Sequence, residues 1–484
     1  MKREFVVNVS LLLVSNLLIK VYFLLGIDRN FQLALGAEQY GLYYSLFNFT
    51  LVFQFINDFG LQNLINRFVS QNRDDSLKRL QEFAVMKILL STIYIGVIVI
   101  MCKAANYPSD YWILIFHLAI NQVLASAISF NRAGISGLGF YRQDSFFSVM
   151  DRFILILMGS ALLWIPFFHS YLNIHGFIWI QSISLAITFI LTYIFLKKKG
   201  LVFQRLFPDV IPIKNLLIST LPFAFIYLCG SIYNKADVVL LHRLHEHGAE
   251  QAGIYASAMR LFEAASMFSL AIGGLLLAMF SRLHEQADKL SGLFKLSVKW
   301  LLVGTLLVST LGFFYAAEWV DILYKRNDPL WIQTFAIVMM AFLPASLNFI
   351  LGAFYQAVHK ERVLLIFYAL AAILCILLNW KWIPEYGAQA TAIVAVVVHG
   401  TLFFIQAIYI WLKSLVNITR DFVLFTFVFC GLSWLLAFGI YQFELDWKVK
   451  IGLTTTSILG IAFAFRILSI VEMRHSSPEE TDTN

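Results

Sequence analysis

The chain has 484 residues, of which 60% are hydrophobic and only 13% are charged, and its mean hydropathy is +0.76. A water-soluble domain carries about 25% charged residues, so this composition excludes a soluble protein and indicates a chain that lies mostly in lipid. The net charge of +7 does not indicate nucleic-acid binding, because the basic residues are scattered over short loops and form no continuous basic face.

Fourteen apolar segments are long enough to cross a bilayer, for which a helix needs about 20 mostly apolar residues. They predict an all-α integral membrane protein, and they are residues 5–26, 41–63, 83–102, 111–134, 146–168, 174–196, 215–241, 252–280, 293–315, 330–357, 362–383, 388–412, 420–441 and 449–471. Most Lys and Arg residues lie in every second connecting segment or at the span ends beside it, and Lys87, Arg132 and Arg152 are counted with these segments. The positive-inside rule then predicts that both termini are cytoplasmic.

A ten-residue motif occurs twice in the chain. Residues Gly36 to Ser45 and Gly248 to Ser257 are identical at seven of ten positions, and both copies precede a predicted membrane helix. Six helices separate the copies, so the two halves share an orientation and are related by an axis along the membrane normal. We therefore predict a six-helix bundle in residues 1–213, a second in 214–415, two additional transmembrane helices in 416–471 and a disordered acidic tail in 472–484.

Polar side chains within the predicted spans concentrate in helices one, two, seven and eight. An ionisable residue in hydrocarbon costs about 2.5–3.5 kcal/mol on insertion scales, so it usually faces a cavity or a partner. These residues could instead have purely structural roles. The structural alternatives are an ion pair of Arg260 with Glu263, a Lys235 that snorkels near Asp237, and an Asp58 that caps its helix or pairs with Arg67. Lys20 has no acidic partner within its own helix.

The cationic residues of this set are candidates for binding an anionic head group such as a pyrophosphate, through charge-assisted hydrogen bonds. They are Lys20, Arg29, Lys235 and Arg260. The remaining members are candidates for lining a polar cavity or binding a coupling ion. They are Asn16, Asn48, Asp58, Asn234, Asp237 and Glu263.

Metal, cofactor and catalytic sites are not predicted. The four cysteines have no metal or disulfide spacing, and His242, His245 and His247 favour a solvated loop over a metal site. No Gly-rich loop with G-K-[ST] occurs, so this chain alone is not expected to use ATP. The loops are too short to hold a catalytic domain, and we expect no enzyme activity.

Several short motifs, in their order and spacing, resemble the polysaccharide-transporter branch of the MATE-like MOP superfamily, which comprises O-antigen and capsule repeat-unit flippases. They are Tyr40-Gly41-Leu42-Tyr43, Asp58-Phe59-Gly60-Leu61 with Arg67, Tyr233-Asn234-Lys235-Ala236-Asp237, Ala252-Gly253-Ile254-Tyr255 with Arg260, and Ile383-Pro384-Glu385-Tyr386-Gly387-Ala388. The family often continues the last motif with Gly-Ala-Ala, where this chain has Gln389-Ala390-Thr391.

The resemblance implies a V-shaped, alternating-access bundle in a bacterial inner membrane. It implies that the substrate is an oligosaccharide on polyprenyl pyrophosphate, as in lipopolysaccharide synthesis, with membrane lipids and a possible coupling cation (H⁺ or Na⁺) as further partners. Lys20 and Arg260 lie on segments that correspond to the helices lining the central cavity of such proteins.

Two other functions remain open at this point. A cation-coupled drug or metabolite exporter of the same superfamily would depend on a carboxylate, such as Asp58, Asp237 or Glu263. The other function is that of a non-transporting scaffold, or of a membrane glycosyltransferase or polymerase. A polymerase is expected to carry a large external loop, which the sequence lacks.

Overall fold

The computed structural model describes residues 16–61, 65, 76–200 and 210–465. Within these ranges every regular element is helical and no strand occurs, so the predicted all-α class is confirmed. The acidic tail 472–484 and the first half of the first predicted span lie outside the described residues.

The helices are named here in chain order. They are α1 (16–22), a π-helical turn (Phe23–Asp28), α2 (Arg29–Val52), α3 (Gln54–Asp58), α4 (Ser76–Ala104), α5 (Ser109–Gly137), α6 (Tyr141–Trp164), a 3₁₀ turn (Pro166–Tyr171), α7 (Ile174–Lys198), α8 (Val210–Leu244), α9 (Gly248–Leu283), α10 (Ala287–Phe314), α11 (Ala316–Tyr324), α12 (Pro329–Ala357), α13 (Glu361–Leu412), α14 (Arg420–Gln442) and α15 (Trp447–Ala464). Each predicted span overlaps one of these helices. Among the described residues, ten helices are long and apolar enough to cross a membrane.

The first helix is longer than the sequence predicts. Helical structure continues from α1 through the π turn to Gly36, where φ is 78° and ψ is 169°. Glycine adopts this backbone conformation without a steric penalty from Cβ, and the chain turns there into the second half of α2. The predicted spans 5–26 and 41–63 leave residues 27–40 between them, but these residues are helical except at Gly36, and Arg29 lies within a helix.

A second glycine divides the longest helix. Gly387, with φ 52° and ψ −126°, interrupts α13 directly after Pro384. This conformation is open to glycine and strained for other residues. The interruption coincides with the predicted boundary between the eleventh and twelfth spans, so α13 supplies two crossings.

The contacts divide the chain into a first unit, Met1–Ala256, and a second unit, Ser257–Asn484. The first unit therefore includes α8 and the first turns of α9, which the repeat had assigned to the second bundle. The division into bundles at residue 213 stays a prediction.

The surface of the spans is apolar. On α14, for example, Leu424, Phe427 and Leu435 are 65%, 60% and 68% exposed. Exposure of such apolar side chains is favourable in lipid and unfavourable in water. The buried side of the helices instead contains many hydroxyl and amide groups, such as Asn131, which donates to Thr192 Oγ1 at 3.1 Å.

Candidate functional site

Lys20 of α1 lies within electrostatic range of two arginines that were counted with the connecting segments. It interacts electrostatically with Arg132 of α5 and with Arg152 and Asp151 of α6. The guanidinium of Arg152 also lies over the Phe23 ring, 4.8 Å from its centroid. We call Lys20, Arg132 and Arg152 the basic cluster.

Two carboxylates accompany the basic cluster. Arg132 Nε lies 2.8 Å from Asp144 Oδ1, and Arg152 Nε lies 3.5 Å from Asp151 Oδ2. All four side chains are half-buried, and with Lys20 they leave one net positive charge. The cluster can therefore attract an anion while each arginine is held in place by a carboxylate.

Asn16, a candidate cavity residue, is hydrogen-bonded to a neighbouring helix. Asn16 Oδ1 accepts a hydrogen bond from Ser148 Oγ of α6 at 2.5 Å. Arg29 is half-buried at the start of α2. Lys20 therefore lies close to charged groups of α5 and α6, and Arg29 is not among them.

Two predicted cavity residues bond within their own helices. The amide of Asn48 donates to the Tyr44 carbonyl at 2.7 Å, and the amide of Asn234 donates to the Gly230 carbonyl at 2.8 Å. Such bonds satisfy the amide donor inside the membrane and allow a structural role for both residues.

Asp237 is buried and held by a tyrosine. Its Oδ2 accepts from the Tyr255 hydroxyl at 2.6 Å, and its Oδ1 accepts from the Val238 amide at 2.7 Å. Lys235, two residues earlier, is half-buried. A similar pair was not predicted from the sequence: buried Asp28 accepts from the Tyr40 hydroxyl at 2.6 Å. Asp28 was missed because it was assigned to a loop.

The two copies of the repeated motif pack directly against each other within the first unit. A Cβ on Gly41 would lie 1.9 Å from the Ala249 carbonyl oxygen, and a Cβ on Gly253 would lie 1.9 Å from that of Ala37. Gly41 corresponds to Gly253 in the repeat, and Ala37 to Ala249, so the contact is reciprocal. Small residues four apart are typical of closely packed membrane helices. We call these four residues the glycine contact.

Further bonds join the end of α8 to its neighbours beside the glycine contact. His242 Nδ1 and Ser45 Oγ share a hydrogen bond of 2.9 Å. Arg243 donates to the Ala105 carbonyl at 2.5 Å, and its guanidinium lies 4.9 Å from the centre of the Tyr107 ring. Burial raises the pKa of Tyr107, which lies outside the spans.

The histidines of this loop do not converge. His247 N donates to His245 Nδ1 at 3.0 Å, and burial, followed by the nearby His247, lowers the pKa of His245. No group of three His, Cys, Asp or Glu residues that could hold a metal ion occurs in the part of the chain that the structure describes.

In the second unit, Arg260 is 5% exposed and donates to Glu263 Oε2 at 2.8 Å. The intrahelical ion pair that the sequence allowed is therefore present. Asp58 of the first unit is half-buried at the end of α3 and next to Phe59, whose φ is 44°. Arg67, its expected partner, lies outside the described residues.

An all-helical fold with many apolar spans, and charged groups within those spans, defines the chain as a multi-span membrane protein. The sequence profile of the family described as "Polysaccharide biosynthesis protein" matches residues 5–284, more than half of the chain, and the chain belongs to this family. No curated protein matches it by sequence.

Solved structures of the MOP superfamily have the same fold. The lipid II flippase MurJ, in an inward closed conformation, is 11% identical with a TM-score of 0.70; the match covers 94% of this chain and 99% of MurJ. An inward-facing MATE family multidrug resistance transporter is 15% identical with a TM-score of 0.64, covering 84% and 98%. A MOP superfamily transporter from Pyrococcus furiosus is 12% identical with a TM-score of 0.56, covering 82% and 95%. The predicted MATE-like fold is confirmed.

Proposed function

We propose that this chain is a flippase that moves an oligosaccharide linked to polyprenyl pyrophosphate across the bacterial inner membrane. Membership of the polysaccharide biosynthesis family supports this proposal, as does the fold shared with a protein named as a lipid II flippase. The observation that carries it is the basic cluster, because its three cations exceed their two carboxylates by one positive charge, and a charged group near the hydrocarbon usually has a partner or faces a cavity.

A pyrophosphate fits the basic cluster by charge. Asp144 and Asp151 offset two of the three positive charges. An arriving pyrophosphate offers several strong acceptor oxygens and competes with these carboxylates for the same guanidinium donors. The other candidates for the anionic head group remain Arg29, Lys235 and Arg260. Of these, Arg260 is held by Glu263 in the same way.

Alternating access is the proposed mechanism, and the glycine contact is the proposed closure of one end of the first unit. Arg132 lies near the C-terminal end of α5, whereas the bond from Arg243 to Ala105 lies beside the N-terminal end of α5. The basic cluster therefore lies towards the C-terminal end of α5, and the glycine contact lies towards its N-terminal end. If the positive-inside rule orients the chain, the basic cluster faces the cytoplasm and the glycine contact seals the outer side.

The transport direction follows from charge as well. When the cytoplasm is negative, outward movement of a negative charge is favoured by about 2.3 kcal/mol per charge per 100 mV. A coupling cation, H⁺ or Na⁺, would bind a carboxylate, and Asp58, Asp237 and Glu263 remain the candidates.

A cation-coupled exporter is the second candidate function. Two observations favour it: the fold shared with the MATE transporter and the buried carboxylates of Asp28 and Asp237. An exporter of this kind would need the carboxylates and would tolerate loss of the basic cluster.

Export of lipid-linked oligosaccharide in cells distinguishes the two functions. We expect Lys20→Ala to reduce the export rate about tenfold or more, since a hydrogen bond to a charged group contributes about 1.5–3 kcal/mol. Lys20→Arg should retain most of the export, and Lys103→Ala, at an exposed position on α4, serves as the matched control. Unchanged export by Lys20→Ala, together with loss in Asp237→Asn, would contradict the flippase proposal and support the exporter.

A further inference from the structure

A lysine that was counted with the charges of a connecting segment is buried among the helices of the first unit. Lys87 lies on α4, seven residues beyond the start of the apolar span Leu80–Ala104, and is 5% exposed. Seven residues are two helical turns, or about 10 Å along the axis. A charged side chain at such a place is costly and is a functional residue by default.

The ammonium of Lys87 is surrounded by uncharged oxygens. Its Nζ donates to the Asn57 carbonyl at 2.5 Å, to Asn57 Oδ1 at 2.9 Å, and to Ser126 Oγ. An ammonium has three hydrogens to donate, and all three are used. No carboxylate lies within ion-pair distance of Lys87 in the described part of the chain, although Asp58 attracts it from further away.

These oxygens converge because of the local helix geometry. Asn57 belongs to the last turn of α3, which ends at the left-handed residue Phe59, and carbonyls of a last turn lack partners within the helix. Asn57 Oδ1 also accepts from Ser91 Oγ at 2.8 Å, while Asn57 Nδ2 donates to the Gln122 carbonyl at 3.2 Å. Asn57 is thus fixed by α4 and α5 whether or not an ammonium is present.

A carbonyl, an amide oxygen and a hydroxyl are the ligands with which proteins replace the hydration shell of a small monovalent cation. A cavity of about 650 Å³ adjoins them and is lined by Lys87, Ser91 and Asn131 together with apolar side chains of α4, α5 and α7. Removal of the lysine side chain would therefore leave these oxygens without their ammonium donor, at the edge of this cavity.

We propose that Asn57 and Ser126 form a monovalent-cation site that the chain fills with its own ammonium, Lys87. The tethered charge fixes the end of α3 to α4 and α5 and cannot dissociate. The first unit therefore needs no free sodium or potassium ion at this place, and a dissociable coupling ion would have to bind elsewhere. This inference does not depend on what the protein transports.

Chemical rescue of the purified full-length chain tests the proposal. The melting temperature of Lys87→Ala is measured in detergent with sodium, potassium, methylammonium or tetramethylammonium chloride at equal ionic strength. We expect a melting temperature several degrees below that of the unaltered protein in tetramethylammonium, and a saturable recovery in methylammonium or sodium. The unaltered protein and Lys103→Ala should show no such difference between the salts.

Two further results decide the matter if Lys87→Ala is difficult to purify. Recovery of folded protein in methylammonium or sodium but not in tetramethylammonium supports the proposal, and recovery in none of the salts contradicts it. Lys87→Met fills the same space without a charge, so it should be destabilised and insensitive to the salts. A Lys87→Met protein as stable as the unaltered chain, or a Lys87→Ala protein with equal melting temperatures in all salts, would overturn the inference.

Discussion

Replacing Gly41 by alanine should force the two copies of the repeated motif apart. The new methyl carbon would lie 1.9 Å from the Ala249 carbonyl oxygen and 2.4 Å from the Gly253 amide nitrogen. Both are backbone atoms of α9, so no flexible side chain can move away to make room. The helices themselves must separate, and the bond from Gln32 Nε2 to the Gly253 carbonyl, now 2.8 Å, must lengthen with them.

The size of the effect follows from these distances. Real Cβ atoms essentially never approach a heavy atom closer than 3.0 Å, so α2 and α9 must move apart by more than 1 Å at this point. Overpacking of this kind costs about 1–3 kcal/mol of the free energy of unfolding. Gly253→Ala should cost a similar amount, because its Cβ meets the Ala37 carbonyl at 1.9 Å. The two costs should not add, since the first substitution already opens the space that the second requires.

The melting temperature of the purified protein, measured in detergent, reports this loss. Gly96→Ala is the matched control, because a Cβ there meets nothing within 4 Å and alanine is favoured over glycine in a helix by about 1 kcal/mol. Gly96→Ala should therefore melt at or above the temperature of the unaltered protein. Equal melting temperatures for Gly41→Ala and Gly96→Ala would refute the reciprocal contact.

Three further substitutions have expected outcomes, each checked by the melting temperature of the purified protein. Tyr255→Phe removes the hydroxyl donor to the buried carboxylate of Asp237 and should cost about 1–3 kcal/mol; a smaller loss would mean that the carboxylate is satisfied without it. Glu263→Gln removes a charged partner of Arg260, which is 5% exposed, and should cost about 3–5 kcal/mol; stability equal to the unaltered chain would mean that the pair is solvated. Gly387→Ala places a side chain at φ 52° and ψ −126° and should cost about 1–3 kcal/mol; a neutral result would mean that α13 bends elsewhere.

The fold could be predicted from the sequence because lipid imposes one simple requirement on every span. Long apolar segments must be helical to satisfy their backbone in hydrocarbon, and each predicted span overlaps a helix. Helix ends were harder to place. Asp28 and Arg29 look like loop residues, yet the helix continues past them. The Asp28 carboxylate is satisfied there by Tyr40, a contact between residues twelve apart that hydropathy does not indicate.

The site could be predicted only where its partners are close in sequence. Arg260 and Glu263 are three residues apart on one helix, and their ion pair was foreseen as an alternative. Lys20 meets Arg132 and Arg152 across more than a hundred residues, and those arginines were counted as loop charges that orient the chain. The recurrence of Gly41 as Gly253 was visible, but their mutual contact depends on how the helices cross.

The central claim is that this chain moves a lipid-linked oligosaccharide, and reconstitution tests it most directly. The purified full-length chain would be placed in vesicles containing a fluorescent oligosaccharide on polyprenyl pyrophosphate, and a reagent confined to the outside would quench the outward-facing label. We predict that, with the chain present, the quencher also removes the fluorescence of the half of the label that starts in the inner leaflet. Lys20→Ala should slow this loss of fluorescence, and Lys103→Ala should not. Equal exposure in vesicles with and without the protein would contradict the account.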